Sequence, residues 1–193
     1  MSFIDFGSKK YTTATPFRKK TEIIEDNPND KIYTPEETAK YIITKINDKF
    51  NIEGKILDPC KGSGAFYNNF PTNCQKDYCE IDENKDFFKY NEKVDWIISN
   101  PPYSIFEDFL KHSMELTNNI VYLIPVNKIV SSARRIADLY KFGGIPYMLM
   151  LTSAETKFPF GFGTSAIYIK KDYRGSIDIE LSPIFKKSYN INE

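Results

Sequence analysis

An α/β fold around a mostly parallel sheet is the class this chain predicts, and three observations carry the prediction. Short apolar runs at 54–58, 77–81, 94–99, 120–126, 146–152 and 165–170 alternate with helical patterns at 36–49, 64–70, 105–116 and 128–141. That alternation puts helices on the faces of a parallel sheet. A glycine-bearing turn follows the first apolar run and a proline-bearing turn follows the third. Both stand just past a strand's carboxyl end, where open α/β sheets place their ligands.

The elements follow in order. Residues 1–30 read as a polar, Thr-rich arm that closes on Asp26-Asn27-Pro28-Asn29-Asp30, and residues 31–193 read as one domain. The first helix, 36–49, has a start signal in Thr34 as N-cap, Pro35 in the first turn and Glu37 three residues after the cap. Lys55-Ile56-Leu57 is a short buried strand, and the helix beyond its glycine turn begins near Ala65. The single histidine, His112, falls inside the helix 105–116 and is expected at the surface. Gly143-Gly144 would end the helix 128–141 as a C-cap. A last strand at 177–181 and a frayed tail complete the reading.

Composition excludes several classes. Lys plus Arg and Asp plus Glu number 26 each, which argues against a surface that binds nucleic acid indiscriminately. The basic residues are nevertheless clustered: Lys9, Lys10, Arg18, Lys19 and Lys20 in the arm, and Lys128, Arg134, Arg135 and Lys141 in the helix 128–141. Either group could touch phosphates, or simply be solvated. Cys60, Cys74 and Cys79 lack paired metal spacing and no histidine cluster accompanies them, so no metal site is expected. No stretch approaches the ~20 apolar residues of a membrane span, and Met1-Ser2-Phe3-Ile4-Asp5 does not open a signal peptide. A reduced intracellular, cytoplasmic setting away from membranes is expected.

Two motifs carry chemistry. In Asp58-Pro59-Cys60-Lys61-Gly62-Ser63-Gly64 the glycines permit positive φ and close backbone approach. The spacing fits neither the P-loop nor the three-glycine dinucleotide fingerprint. An acid at the strand end suits instead a cationic or amine-bearing ligand. In Asn100-Pro101-Pro102-Tyr103 the prolines fix φ and remove two donors, leaving carbonyls and the Asn100 side-chain oxygen to accept hydrogen bonds. Two acceptors on one amino group would favour the pyramidal nitrogen of an amine made nucleophilic. Tyr103 would stack on the ring bearing that amine. Alone, the tetrapeptide would equally suit a turn between strand and loop.

With these motifs the chain resembles the S-adenosylmethionine-dependent amino-methyltransferases, and most closely the DNA adenine-N6 methyltransferases, over residues 31–170. The resemblance implies a Rossmann-like class I methyltransferase sheet, mostly parallel and closing on a C-terminal antiparallel hairpin. It also implies S-adenosylmethionine as cofactor. Asp58, Pro59, Cys60, Gly62 and Gly64 are similar to the loop that holds the methionine end, and Tyr33-Thr34-Pro35 to the segment that closes over it. Glu80 is similar to the acid that takes the ribose hydroxyls, and Asp86 and Phe87 to the block that reads the adenine. Phe160 or Phe162 resembles the aromatic that packs on a flipped base. Asn100, Pro101, Pro102 and Tyr103 resemble the family's catalytic block, and, from their clustering rather than the resemblance, Lys128, Arg134 and Arg135 are expected as substrate contacts.

Plainer roles stand beside these. Glu80 could be a solvated strand end, Asp86 a surface acid, and the aromatics at 158–162 hairpin packing. Only five residues separate Glu80 from Asp86, too few for the helix that usually joins those strands. With the sheet still to be completed after the catalytic loop, no target-recognition domain fits. The implied partner is nucleic acid, specifically DNA, with a separate specificity subunit or a second copy of the chain. The rival readings are an RNA adenine or protein-glutamine methyltransferase, and a non-catalytic cofactor-binding subunit.

Overall fold

The computed structural model describes residues 32–159 and 163–191. In chain order the elements are α1 (Glu36–Phe50), β1 (Lys55–Asp58), α2 (Ala65–Asn69), β2 (Gln75–Tyr78), β3 (Trp96–Ser99), α3 (Phe106–Leu116), β4 (Asn119–Pro125), α4 (Asn127–Val130), α5 (Ala133–Phe142), β5 (Gly143–Leu151), α6 (Ser153–Thr156), β6 (Thr164–Lys171), β7 (Asp178–Leu181) and α7 (Pro183–Ser188). The seven strands form one sheet in the order β2-β1-β3-β4-β6-β5-β7. Every neighbouring pair is parallel except those of β6, which runs antiparallel between β4 and β5. The expected α/β class, mostly parallel sheet and antiparallel hairpin are all present.

Alternating side chains bury both faces of the sheet. Ile56, Ile98, Val121, Leu149 and Tyr168 pack on one side with Ala39, Ile42 and Ile46 of α1 and Phe66 of α2. Leu57, Ile97, Ile120, Tyr122 and Ile167 pack on the other with Phe106, Phe109 and Leu110 of α3. Ile97 and Ile98 therefore serve opposite layers, as a strand's period of two requires. The central strands read as unbroken apolar runs because both faces are covered.

Several expectations are corrected. The helix 128–141 is two helices, broken at Ser131 and Ser132; the Ser132 hydroxyl accepts from Arg135 N–H and starts a new helix rather than continuing the old one. Thr34 is not the cap of α1: Pro35 holds that position, without a side-chain cap bond. The strand expected at 77–81 lies at 75–78, because at Glu80 the chain turns back, pairs with Lys85, and begins a 3₁₀ turn capped by the Glu80 side chain. Gly143 does cap α5, its N–H donating to the Leu139 carbonyl, but it is extended, at φ 176°, rather than left-handed, and it opens β5 directly. A Cβ there would stand 1.9 Å from the Lys170 carbonyl oxygen, so close approach of β6 is what requires glycine. β5 is longer than expected, with a register shift between Gly144 and Tyr147 that accommodates Pro146, which has no N–H to give the ladder. The tail holds α7, with Ser182 as N-cap and Pro183 in its first turn. The arm of residues 1–30 lies outside the described residues.

Candidate active site

The glycine and proline turns emerge side by side because β1 and β3 are paired, with Leu57 opposite Ile97. Asp58, only 1 % exposed, ends β1. Its Oδ1 accepts from Ser99 Oγ at 2.6 Å and from Cys60 N–H at 3.4 Å. Burial pushes the Asp58 carboxyl up to about 7, against the lowering effect of the Ser99 hydrogen bond. The Cys60 Sγ lies 3.1 Å from Ser99 Oγ and donates to the Asn100 carbonyl oxygen at 3.1 Å. Burial also pushes the Cys60 thiol well up, keeping it protonated.

The turn itself is tied down by Lys61 N–H to the Cys79 carbonyl at 2.9 Å and by Gly64 N–H to the Lys61 carbonyl at 2.8 Å. Gly62 and Gly64 take φ of 52° and 89°, which bulkier residues rarely adopt. Pro59 is buried behind the turn while Gly62 and Ser63 are exposed. Glu80 reaches over from the end of β2, its Oε2 accepting from Gly62 N–H at 2.6 Å. The acid and the glycine turn are thus brought together, as expected.

The segment 32–35 completes the cluster. Asn100 Nδ2 donates to the Ile32 carbonyl at 3.2 Å, and a Cβ on Gly62 would meet the Tyr33 ring at 3.0 Å. Tyr33 is 59 % exposed above the turn. Two buried polar atoms here, Asn100 Oδ1 and Thr34 Oγ1, have no hydrogen-bond partner among the described residues. A buried acceptor without a partner costs about 1–3 kcal/mol, so its position favours a further donor.

Beyond Asn100, Pro101 is buried and Pro102 opens a 3₁₀ turn over Tyr103–Ile105. The Tyr103 hydroxyl donates to the Leu123 carbonyl at 3.3 Å, and Lys128 Nζ donates to the Tyr103 carbonyl at 3.0 Å. Lys128 thus braces the proline turn from α4.

Other expected residues make contacts of their own. Phe87 is 3 % exposed, its ring 4.8 Å from both Phe109 and His112. Asp86 accepts from Phe88 N–H at 3.0 Å as the cap of a 3₁₀ turn. His112 is not a surface residue: its Nε2 lies 2.9 Å from the Tyr90 carbonyl and its side chain is largely covered. The two arginines of α5 diverge. Arg135 is turned inward, donating to the Lys128 carbonyl and to Ser131, pairing with Glu107 at 3.6 Å, and covering the Phe106 ring. Arg134 is exposed. Phe160 and Phe162 lie outside the described residues.

Two residues beside these turns escape sequence reasoning. In the sequence Ser99 is only the last residue of an apolar run, although a hydroxyl in a buried strand needs a partner and Asp58 stands one strand away. Ile81, next to Glu80, is 67 % exposed and offers an apolar surface beside the glycine turn. Among the described residues no group of His, Cys, Asp or Glu could hold a metal ion, and no helix is long and apolar enough to cross a membrane.

No family model matches this chain, and no curated protein matches it by sequence. Its fold does have solved counterparts. A proposed class I S-adenosylmethionine-dependent methyltransferase from Listeria monocytogenes superposes with a TM-score of 0.61 at 14% identity, over 85% of this chain and 71% of that one. The methyltransferase subunit of a type I restriction-modification system from Streptococcus thermophilus gives 0.59 at 16% identity, over 83% of this chain and 52% of that one. A proposed RNA methyltransferase from Pyrococcus horikoshii gives 0.55 at 14% identity, over 76% and 90%. The fold is therefore the Rossmann-like fold of the class I methyltransferases. This chain spans about half the length of the Streptococcus subunit.

Proposed function

We propose that this chain is an S-adenosylmethionine-dependent methyltransferase acting on the exocyclic N6 amine of adenine in DNA, by direct in-line transfer to a base flipped out of the duplex. The observation that carries the reading is the Asn100 side-chain oxygen, buried at the end of β3 beside the Asp58 turn and without a partner among the described residues. Bound there, the cofactor supplies an electrophilic methyl group on a sulfonium. Asp58 and the backbone of the turn 59–64, covered by Tyr33, Thr34 and Pro35, hold its methionine end; the Thr34 hydroxyl, without a partner among the described residues, fits a polar group at that place. Glu80 exchanges its Gly62 contact for the ribose hydroxyls. Asp86 takes the adenine amine, and exposed Ile81 offers the ring a surface in place of buried Phe87.

On the acceptor side, Asn100 Oδ1 takes one N–H of the target amine. The Asn100 carbonyl is already engaged by Cys60, so a proline carbonyl of the tetrapeptide is the second acceptor. Tyr103 packs on the base, joined by Phe160 or Phe162. Extruding the base costs a few kcal/mol, offset by these contacts. Holding donor and acceptor in line contributes much of the rate. Arg134 and Lys141, with the arm, meet phosphates; Arg135 contributes by holding α4 and α5 in place. The Streptococcus neighbour is by name a subunit, which supports our reading that this chain relies on a separate specificity subunit, or a second copy, to read sequence.

The test is mass spectrometry of nucleosides from DNA and RNA, and of peptides from cellular protein, after expression in a host without methylation of its own. N6-methyladenine in DNA is expected. Methylated RNA or methylated glutamine instead would move the reading to those acceptors, and no product with intact cofactor binding would favour a non-catalytic subunit. The cofactor half has its own check. Glu80→Ala removes up to two charge-assisted hydrogen bonds, each worth about 1.5–3 kcal/mol, so calorimetry is expected to show affinity weaker by at least about tenfold. Unchanged affinity would end the ribose assignment.

A further inference from the structure

We infer that Cys60 is a positioning residue for the proposed methyl transfer, its thiol fixing the Asn100 peptide so that the Asn100 side chain meets the acceptor amine. This rests on the methyltransferase reading above. Sequence resemblance groups Cys60 with the cofactor contacts. Its side chain turns the other way, to the strand that carries the proline turn, with Sγ 3.1 Å from both Ser99 Oγ and the Asn100 carbonyl oxygen.

Counting protons orients this chain of contacts. Ser99 has one hydroxyl proton, and with Asp58 ionised it goes to the carboxylate at 2.6 Å. The thiol has one proton as well, and the carbonyl of Asn100 is a better acceptor than a hydroxyl already serving an acid. The line Asp58, Ser99, Cys60, Asn100 therefore joins the glycine turn to the proline turn. Cys60 is itself anchored, because the next residue, Lys61, donates to the Cys79 carbonyl and Cys60 N–H to Asp58.

The proline turn needs such support. Pro101 and Pro102 have no N–H, so at those two positions the backbone cannot donate to the sheet. Side chains supply anchors instead: Asn100 Nδ2 to Ile32, Tyr103 to Leu123, Lys128 to Tyr103, and the Cys60 thiol to Asn100. Of the last two, both made to backbone carbonyls from outside the turn, only the thiol acts on the residue that binds the amine. Rotation of that peptide would swing Asn100 Oδ1 off line.

The experiment compares wild type, Cys60→Ala and Cys60→Ser. In Cys60→Ala, kcat for methyl transfer is expected to fall about tenfold, the worth of one hydrogen bond, while the cofactor Kd stays within about twofold. Cys60→Ser keeps a donor and is expected to recover most of the rate. The carbonyl ¹³C shift of labelled Asn100 is expected to move in the Ala variant and return in the Ser variant. An active wild type with unchanged kcat in Cys60→Ala would overturn the assignment, as would a parallel loss of cofactor affinity, a stationary carbonyl shift, or failure of Ser to restore the rate. An inactive wild type would instead bring down the methyltransferase reading, and this role with it.

Discussion

Replacing Asn100 with Ala is expected to lower kcat by about 10²–10³-fold, the usual cost of deleting a preorganised hydrogen-bonding group aimed at the reacting atom, while cofactor affinity stays nearly intact. The side-chain oxygen has no partner among the described residues, so its removal leaves nothing inside unsatisfied. The amide nitrogen is different, since it donates to the Ile32 carbonyl and steadies the segment above the glycine turn. Losing that bond costs about 1 kcal/mol of stability, which a melting curve separates from the catalytic effect. Tyr103→Ala is expected to be milder. Phe at that position preserves stacking and gives up a long hydrogen bond to the Leu123 carbonyl, of 3.3 Å. Full activity in Asn100→Ala would reduce the tetrapeptide to a turn.

Asp58 gives the second large effect, read through pH. Unfolded, its carboxyl titrates near about 3.9; folded, burial raises it to about 7. Between those values the folded chain holds a proton that the unfolded chain has released. Stability therefore falls as pH rises across that window and levels off above it, by about 4 kcal/mol in all. Glu83, Glu107, Glu180 and Asp77 are held below their usual range. Their contributions are lost only as pH drops through those lowered values, on the acid side of the Asp58 window. Asp58→Asn is expected to flatten the melting temperature between about pH 5 and 7. A cationic ligand must find the ionised acid, so cofactor affinity is expected to weaken by up to about tenfold for each pH step of one below 7. A melting profile that keeps its slope in Asp58→Asn would refute the assignment.

What sequence reveals and what it hides divide along physical lines. The glycine turn, the proline turn and the strands before them are legible because glycine, proline and unbroken apolar runs each restrict the backbone locally. Glu80 is legible because an acid just past a strand end has few places to go. Phe87 is not: two adjacent aromatics look alike on paper, and only the packing of α3 shows that its ring joins Phe109 and His112 while Ile81 faces outward. Arg134 and Arg135 are likewise indistinguishable as letters. One step along α5 rotates the side chain by about 100°, which sends one to solvent and the other to Glu107. The break at Ser131-Ser132 is hidden because serines on an exposed helix face and serines that cap a new helix look the same until a hydroxyl is seen accepting Arg135 N–H.

The pairing of β1 with β3 also acts as a ruler. Neighbouring strands stand about 4.8 Å apart, so the sheet's hydrogen-bond ladder sets the lateral gap between the turn that would grip the methyl donor and the turn that would grip its acceptor. Loops can lengthen, arms can be exchanged and partners can come and go without altering that gauge. Changes in what is recognised are thereby mechanically insulated from the distance over which a methyl group would have to travel.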